Sequence, residues 1–321
     1  MATSTLLPSG YTVLETKDRD RSRPILLDVW YPAAPTSTEI PFDYMPGATG
    51  KVAPEAPPLD DVAPVVVLSH GIYGTARSYS WLTEDLARRG FIVVGASHYG
   101  ESPAYGPQTV NLTSILQPWE RPRDCTAALD FLLSHPRFGR LADPLRIGAV
   151  GHSSGGAAVL ALAGAVYDPE AMREYCRSET SRGDRCCRYG RALSREEEDL
   201  ARRSYRDDRV RAVVAMDPSL GPGHNARSLS GVPIPVHIVG TVENDFLPFQ
   251  HNAGRYARLI PGASLTPLAR GEGHFVFVDE CSEDSQIQGV PVCRDRDGVQ
   301  RAVVHARLVK IIEKFLSEHL K

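Results

Sequence analysis

A serine set among glycines, Gly151-His152-Ser153-Ser154-Gly155-Gly156, is the sharpest chemical signal in the chain. The apolar run Arg146 to Val150 leads into it and the small, helix-compatible run Ala157 to Ala165 follows. G-x-S-x-G between a strand and a helix predicts a nucleophile elbow. The sharp turn strains the serine backbone and exposes its hydroxyl, so the residues two before and two after must be small. A hydroxyl is a weak nucleophile and needs a base. Of the ten histidines, His274 is best placed, late in the chain within Gly271-Glu272-Gly273-His274-Phe275, just after the strand-like Ser264 to Leu268. His70 and His98 also follow strand-like runs but precede the serine, and His305 falls in a C-terminal helical pattern as a structural or exposed side chain.

The imidazole in turn needs a carboxylate to hold its useful tautomer and stabilise the imidazolium. Asp245 follows the strand-like Val236 to Val239, and Asp217 follows the preceding run, in Met216-Asp217-Pro218. Either gives the chain order Ser, Asp, His. Asp245 is preferred, Asp217 comes second and Glu243 a distant third. Negative charge developing on a substrate oxygen needs two fixed donors. The backbone N–H of Ser154 is one expectation. The other is Ile72, with Tyr73 next, in the loop His70-Gly71-Ile72-Tyr73-Gly74. A phosphate-binding reading of that loop fails, because neither a Walker Lys-Ser/Thr ending nor G-x-G-x-x-G is present.

These residues need a scaffold. Val65 to Leu68, Phe91 to Val94, Ile147 to Val150, Val210 to Met216 and Val236 to Val239 are short, mostly β-branched runs. Continuous apolar runs suit strands buried on both faces of a parallel sheet. Helical spacing lies between them, over Tyr79 to Arg89, Asp124 to Ser134 and Ala302 to Leu320. The alternation predicts an α/β fold: a mostly parallel sheet flanked by helices, with the strand pair Tyr11 to Lys17 and Pro24 to Pro32 added antiparallel at one edge. Ala33 to Ala63 reads as a Pro-, Ala- and Gly-rich linker. Val166 to Arg209 breaks the alternation with eleven Arg against eleven Asp and Glu. Too polar for its own core, it is expected to be a surface insertion or a cap, with a helix within Ser194 to Tyr205. The organisation expected is one domain over 1–321 carrying an excursion at 166–209.

Over 321 residues, 36 Lys and Arg nearly cancel 39 Asp and Glu, which removes any electrostatic reason to bind nucleic acid or an anionic membrane. No apolar run approaches the roughly 18 residues of a transmembrane helix. The N-terminus shows neither the charged start nor the apolar stretch of a signal peptide. Cys281 and Cys293 bracket a polar loop, and Cys176 lies near Cys186-Cys187, a clustering that suggests local disulfides and an oxidising compartment. A periplasmic or secreted location follows if a leader has been removed; otherwise a cytoplasmic one. Metal is not expected, since no paired CxxC or HxxxH spacing is present.

The elbow, the His-Gly loop, the post-strand acid and the late histidine together resemble the α/β-hydrolase superfamily over nearly all of 24–320. Ser69-His70-Gly71, Gly151 to Gly156, Glu243-Asn244-Asp245 and Gly273-His274-Phe275 further resemble bacterial dienelactone-hydrolase-like proteins, platelet-activating-factor acetylhydrolases and cutinase-like polyesterases. The resemblance implies a serine carboxylester hydrolase with Ser153, Asp245 and His274 as its triad, Ile72 and Ser154 as oxyanion donors, and no cofactor. Its substrate would be a small-molecule, lipid or polymer ester. Three departures accompany it. Dienelactone hydrolases use cysteine where this chain has serine, the acetylhydrolase acid position corresponds to Asp217, and the insertion exceeds what compact polyesterases carry. An acyltransferase or amidase with the same triad, or a ligand-binding protein of the same fold with little turnover, are the rival expectations.

Overall fold

The computed structural model describes residues 6–45, 48–281 and 285–320. In chain order its main strands are β1 (Ser9–Asp18), β2 (Arg23–Pro32), β3 (Ile40–Met45), β4 (Ala48–Pro54), β5 (Ala63–Ser69), β6 (Ile92–Ser97), β7 (Ala142–His152), β8 (Val210–Met216), β9 (Val236–Thr241) and β10 (Ser264–Leu268). The helices are α1 (Ser80–Arg88), α2 (Leu112–Ile115), α3 (Glu120–Ser134), α4 (Ser154–Leu162), α5 (Pro169–Arg177), α6 (Arg195–Ala201), α7 (Ala226–Ser230), α8 (Ala253–Leu259) and α9 (Arg301–His319). The strands form one sheet in the order β10-β9-β8-β7-β5-β6-β2-β1-β4-β3. From β10 to β6 the pairings are parallel, and β2 joins β6 antiparallel.

Alternate residues of each central strand serve opposite cores. Val65 and Val67 of β5 pack with Ala128, Leu129 and Leu132 of α3 and Leu160 of α4. Val66 and Leu68 pack on the other face with Leu82 and Leu86 of α1 and Leu308, Ile312 and Leu316 of α9. Two buried faces explain the unbroken apolar runs of these strands. The largest departure from expectation lies in 33–63, where the supposed linker contains β3 and β4. Paired parallel to β1 at Gly10↔Ala53 and Tyr11↔Pro54, β4 in turn carries β3 antiparallel. The β1–β2 pair is therefore interior, and β3 forms the edge. Tyr11, Trp30, Phe42 and Tyr44 cluster there, with ring centroids 4.9 to 6.0 Å apart.

The segment 166–209 lies between α4 and β8 and holds α5 and α6. The Cys176–Cys187 disulfide ties the end of α5 to a 3-10 turn at Arg185–Arg188. A second disulfide joins Cys281 to Cys293. Much of the local charge is paired within the insertion: Arg173 meets Glu170 and Glu198, Arg191 meets Glu197, and Arg202 meets Asp168. Its inner side is anchored to the body. Buried Asp184 accepts from Asn252 Nδ2 at 3.0 Å, and the Arg185 N–H donates to the Phe246 carbonyl at 3.0 Å.

Candidate active site

Ser153 occupies the corner between β7 and α4 at φ 56° and ψ −119°, a left-handed φ that a serine adopts only when its surroundings impose it. The surroundings do so through close packing. A Cβ on Gly151 would lie 2.2 Å from the Gly155 carbonyl oxygen, and one on Gly155 would lie 2.0 Å from that of Ser69. The Ser153 N–H donates to the Met216 carbonyl at 3.0 Å, and its own carbonyl accepts from the Ser219 N–H at 3.1 Å. The corner is thus pinned to the end of β8.

The Ser153 Oγ lies 2.9 Å from His274 Nε2, and His274 Nδ1 lies 2.9 Å from Asp217 Oδ2. His274 heads a 3-10 turn, His274–Phe277, rather than a loose loop, and is fully buried. The Phe246 ring stacks on the imidazole at 4.9 Å between centroids and 12° between planes. Asp217 follows β8 immediately, and its N–H still bonds the Val239 carbonyl of β9 at 2.7 Å. Its Oδ1 accepts from the Thr241 N–H at 3.0 Å; its Oδ2 accepts from Thr241 Oγ1 at 2.8 Å and Asn244 Nδ2 at 2.5 Å.

The preferred acid, Asp245, does not reach the imidazole ring. Thr241 ends β9, and Asn244 Oδ1 then accepts from the N–H groups of Phe246 and Leu247, turning the chain. That turn directs Asp245 Oδ1 to the backbone N–H of His274 at 2.9 Å, while Arg296 approaches Oδ2 at 3.2 Å. Asp245 therefore caps the turn that carries the histidine, and Asp217 occupies the ring position. Glu243 is exposed and stands outside the cluster.

Ile72 and Ser154 both border the cavity that opens at Ser153. One hydrogen-bonded chain links the loop of Ile72 to the histidine, a connection that the sequence reading missed. The Gly71 N–H donates to Tyr79 Oη at 2.9 Å, and Tyr79 Oη lies 2.9 Å from His152 Nδ1. Tyr79 then donates to Nδ1, leaving the His152 Nε2–H to donate to the His274 carbonyl at 3.0 Å. Burial holds the His152 imidazole well below its ordinary pKa, which keeps this neutral tautomer. His152 is the variable residue of the elbow motif, and nothing in the motif assigns it a partner. Tyr73 has φ 58°, and its hydroxyl faces that of Tyr189 from the insertion.

Two of the other histidines belong to a separate buried network. Ser69 Oγ lies 2.8 Å from His98 Nε2, and His98 Nδ1 lies 3.0 Å from Asp124 Oδ2. All three side chains are sealed from solvent, and Arg21 and Arg23 pair with the carboxylate. His70 accepts the His98 N–H at 3.1 Å, and Arg121, itself paired with Glu101, donates to the His70 carbonyl. His305 is buried, donating to the Val276 carbonyl at 2.7 Å and stacking on Trp81 at 4.1 Å.

Two hollows meet at Ser153 and Ile72. One runs along α4 beneath the insertion, past Ala157, Ala158, Ala161, Tyr167 and Met172. The other, wider one is bordered by Tyr73, Thr75 and Phe275 and by Ile287 and Val292 of the second disulfide loop.

The chain is similar to several known proteins. Cutinase est1 and Cutinase est2 of Thermobifida alba are each 32% identical to this chain over 100 residues, covering 30% of it and 29% of their own length. Cutinase 2 of Thermobifida cellulosilytica is 33% identical over 101 residues, covering 30% of this chain and 33% of its own. The chain thus matches about a third or less of the length of these curated relatives. A solved ferulic acid esterase from Streptomyces cinnamoneus superposes with TM-score 0.66 at 23% identity, over 99% of this chain and 91% of that one. A puromycin-hydrolyzing peptidase of Mycobacterium tuberculosis superposes with TM-score 0.57 at 16% identity, over 97% and 39%. These two share the fold. Residues 66–284, more than half of the chain, match the alpha/beta hydrolase family, and with its strand order and elbow the chain belongs to that family.

Proposed function

We propose that the protein is a serine carboxylester hydrolase working through an acyl-enzyme, with Ser153 as nucleophile, His274 as general base and acid, and Asp217 as the group that orients His274. The observation that carries this reading is the pair of 2.9 Å contacts from a strained, cavity-facing serine through His274 to Asp217. The printed names of the partial relatives, cutinases, and of the structural neighbour, a ferulic acid esterase, support ester cleavage.

His274 Nε2 takes the Ser153 proton as Oγ attacks the ester carbonyl carbon. The carbonyl π electrons move to oxygen, and the N–H groups of Ile72 and Ser154 stabilise the oxyanion. As the tetrahedral intermediate collapses, Nε2–H protonates the departing alcohol. Water then repeats the sequence on the acyl-enzyme and releases the acid. Asp217 accepts from Nδ1–H throughout and stabilises the imidazolium. Its other acceptor positions are filled by Thr241 and Asn244, which fixes the carboxylate plane.

Fluorophosphonate labelling tests the reading. The native protein should incorporate the probe at Ser153 and cleave nitrophenyl esters, and Ser153→Ala should lose both. Folded native protein that stays unlabelled would overturn the reading. The two disulfides support a location in an oxidising compartment. Among the described residues no helix is long and apolar enough to cross a membrane.

A further inference from the structure

We propose that the insertion 166–209 forms the inner wall of an acyl chamber, and that the protein prefers esters of straight apolar acids of about eight carbons. This inference deepens the hydrolase reading above and rests on it. The narrower hollow starts at Ser153 and follows α4, where Ala157, Ala158 and Ala161 present only methyl groups. Three small side chains on one helical face leave a slot where larger ones would fill it. The opposite wall comes from the insertion, through Tyr167, Met172 and Ala201.

Three of the polar groups on this lining have partners within the protein. Arg121 is paired with Glu101, His224 Nδ1 meets Tyr256 Oη at 2.5 Å, and the Tyr205 hydroxyl donates to the Leu200 carbonyl at 2.7 Å. Beside these satisfied groups the alanine face of α4 offers apolar surface, which suits a hydrocarbon chain. Length follows from the helix. Ser154 to Ala161 rises about 10 Å at about 1.5 Å per residue. An extended chain advances roughly 1.3 Å per carbon, so about eight carbons span the slot.

The chemistry assigns the chamber to the acyl side. His274 protonates the leaving alcohol, and the wider hollow is bordered on one side by the segment that follows His274, including Phe275 and Val278, and on another by the Gly71–Tyr79 loop. Once the alcohol has left, water must approach the acyl carbon from the same side. An acyl chain held along α4 leaves that route open. Tyr189 of the insertion, facing Tyr73 of the oxyanion loop, stands where the two hollows meet.

Steady-state kinetics on nitrophenyl esters from acetyl to dodecanoyl test the proposal. The ratio of kcat/KM for octanoyl to acetyl ester should exceed about tenfold in the native protein, as burial of extra methylenes requires. Ala161→Phe should lower that ratio at least about tenfold, by filling the slot. Met172→Ala, which widens the opposite wall, should raise the dodecanoyl to octanoyl ratio, and it guards against a folding defect in the first variant. Ratios unchanged within about twofold in both folded variants overturn the chamber. If the native protein cleaves no ester, octanoate binding to Ser153→Ala by calorimetry decides separately. Saturable binding lost with Ala161→Phe sustains the chamber while the hydrolase reading falls; absence of octanoate binding overturns the chamber too.

Discussion

Two aspartates, 28 positions apart, divide one job that sequence motifs assign to a single residue. Asp217 meets the ring of His274, and Asp245 holds its backbone. Asp217→Asn should therefore lower kcat by roughly 10⁴, because the amide favours the wrong tautomer. Asp245→Asn should cost less than about tenfold, since its amide oxygen still accepts the His274 N–H. Equal losses in the two variants would refute this division. Tyr79→Phe should destabilise the fold by about 1–3 kcal/mol, measured by urea unfolding, because Gly71 N–H and His152 Nδ1 lose a buried partner. That Ser153 and His274 would meet was legible from motif and chain order alone. The acid was not, because both aspartates follow strands, and only the Asn244 turn decides which one faces the ring. Position relative to the strand end held the clue, since Asp217 is next to β8 while Asp245 lies beyond the end of β9.

At the level of elements, the elbow depends on how closely β5, β7 and α4 approach. Gly155→Ala should cost several kcal/mol or abolish folding, read as a loss of the urea midpoint, because backbone rather than a flexible side chain blocks the added Cβ. The insertion depends on a cross-link. Replacing Cys176 and Cys187 together by serine should cost about 2–4 kcal/mol locally. Proteolysis within 166–209 should accelerate, while the hydrogen-exchange protection of β7 and β8 persists. The central strands and the long helices were legible because burial on both faces, or on one stripe, writes its period directly into the residues. β3 and β4 were not. Their Pro and Gly content argues against strands, and their stability comes from contacts with Tyr11 and Trp30 that lie far off in sequence.

Across the whole molecule, acid sensitivity follows from buried histidines. Burial pushes His224 and His305 down to about 4 from an ordinary 6.5. Their neutral forms belong to the folded state, so this stability is complete above pH 6.5 and is lost as pH falls toward 4, on the order of 3 kcal/mol for each. Asp279 acts oppositely. Burial lifts it to about 6 from 3.8, so its contribution is complete below 3.8 and fades as pH rises to 6. Buried His70, His98 and His152, also held low, act with these two histidines. Asp28, Glu84, Glu101 and Asp184, raised by burial, act with Asp279. The histidines are the groups that cost stability between pH 6.5 and 4. The urea midpoint should fall across that range, and His305→Gln should flatten the slope. An unchanged slope in that variant would count against the assignment. Near-neutral total charge gave no hint of this, because titration within the fold depends on where each group is buried.

The chain also carries a built-in control for its own chemistry. Ser69, His98 and Asp124 reproduce the connectivity of Ser153, His274 and Asp217, but Ser69 lies in the regular β5 ladder, paired with Ala96 and Gly151, and is fully buried. Stoichiometry separates the two. An excess of fluorophosphonate should modify the folded protein at one equivalent per chain, with Ser69 unmodified. Reactivity here is a matter of admission: a hydroxyl, an imidazole and a carboxylate in register do nothing until a backbone bend holds the oxygen out to an incoming molecule.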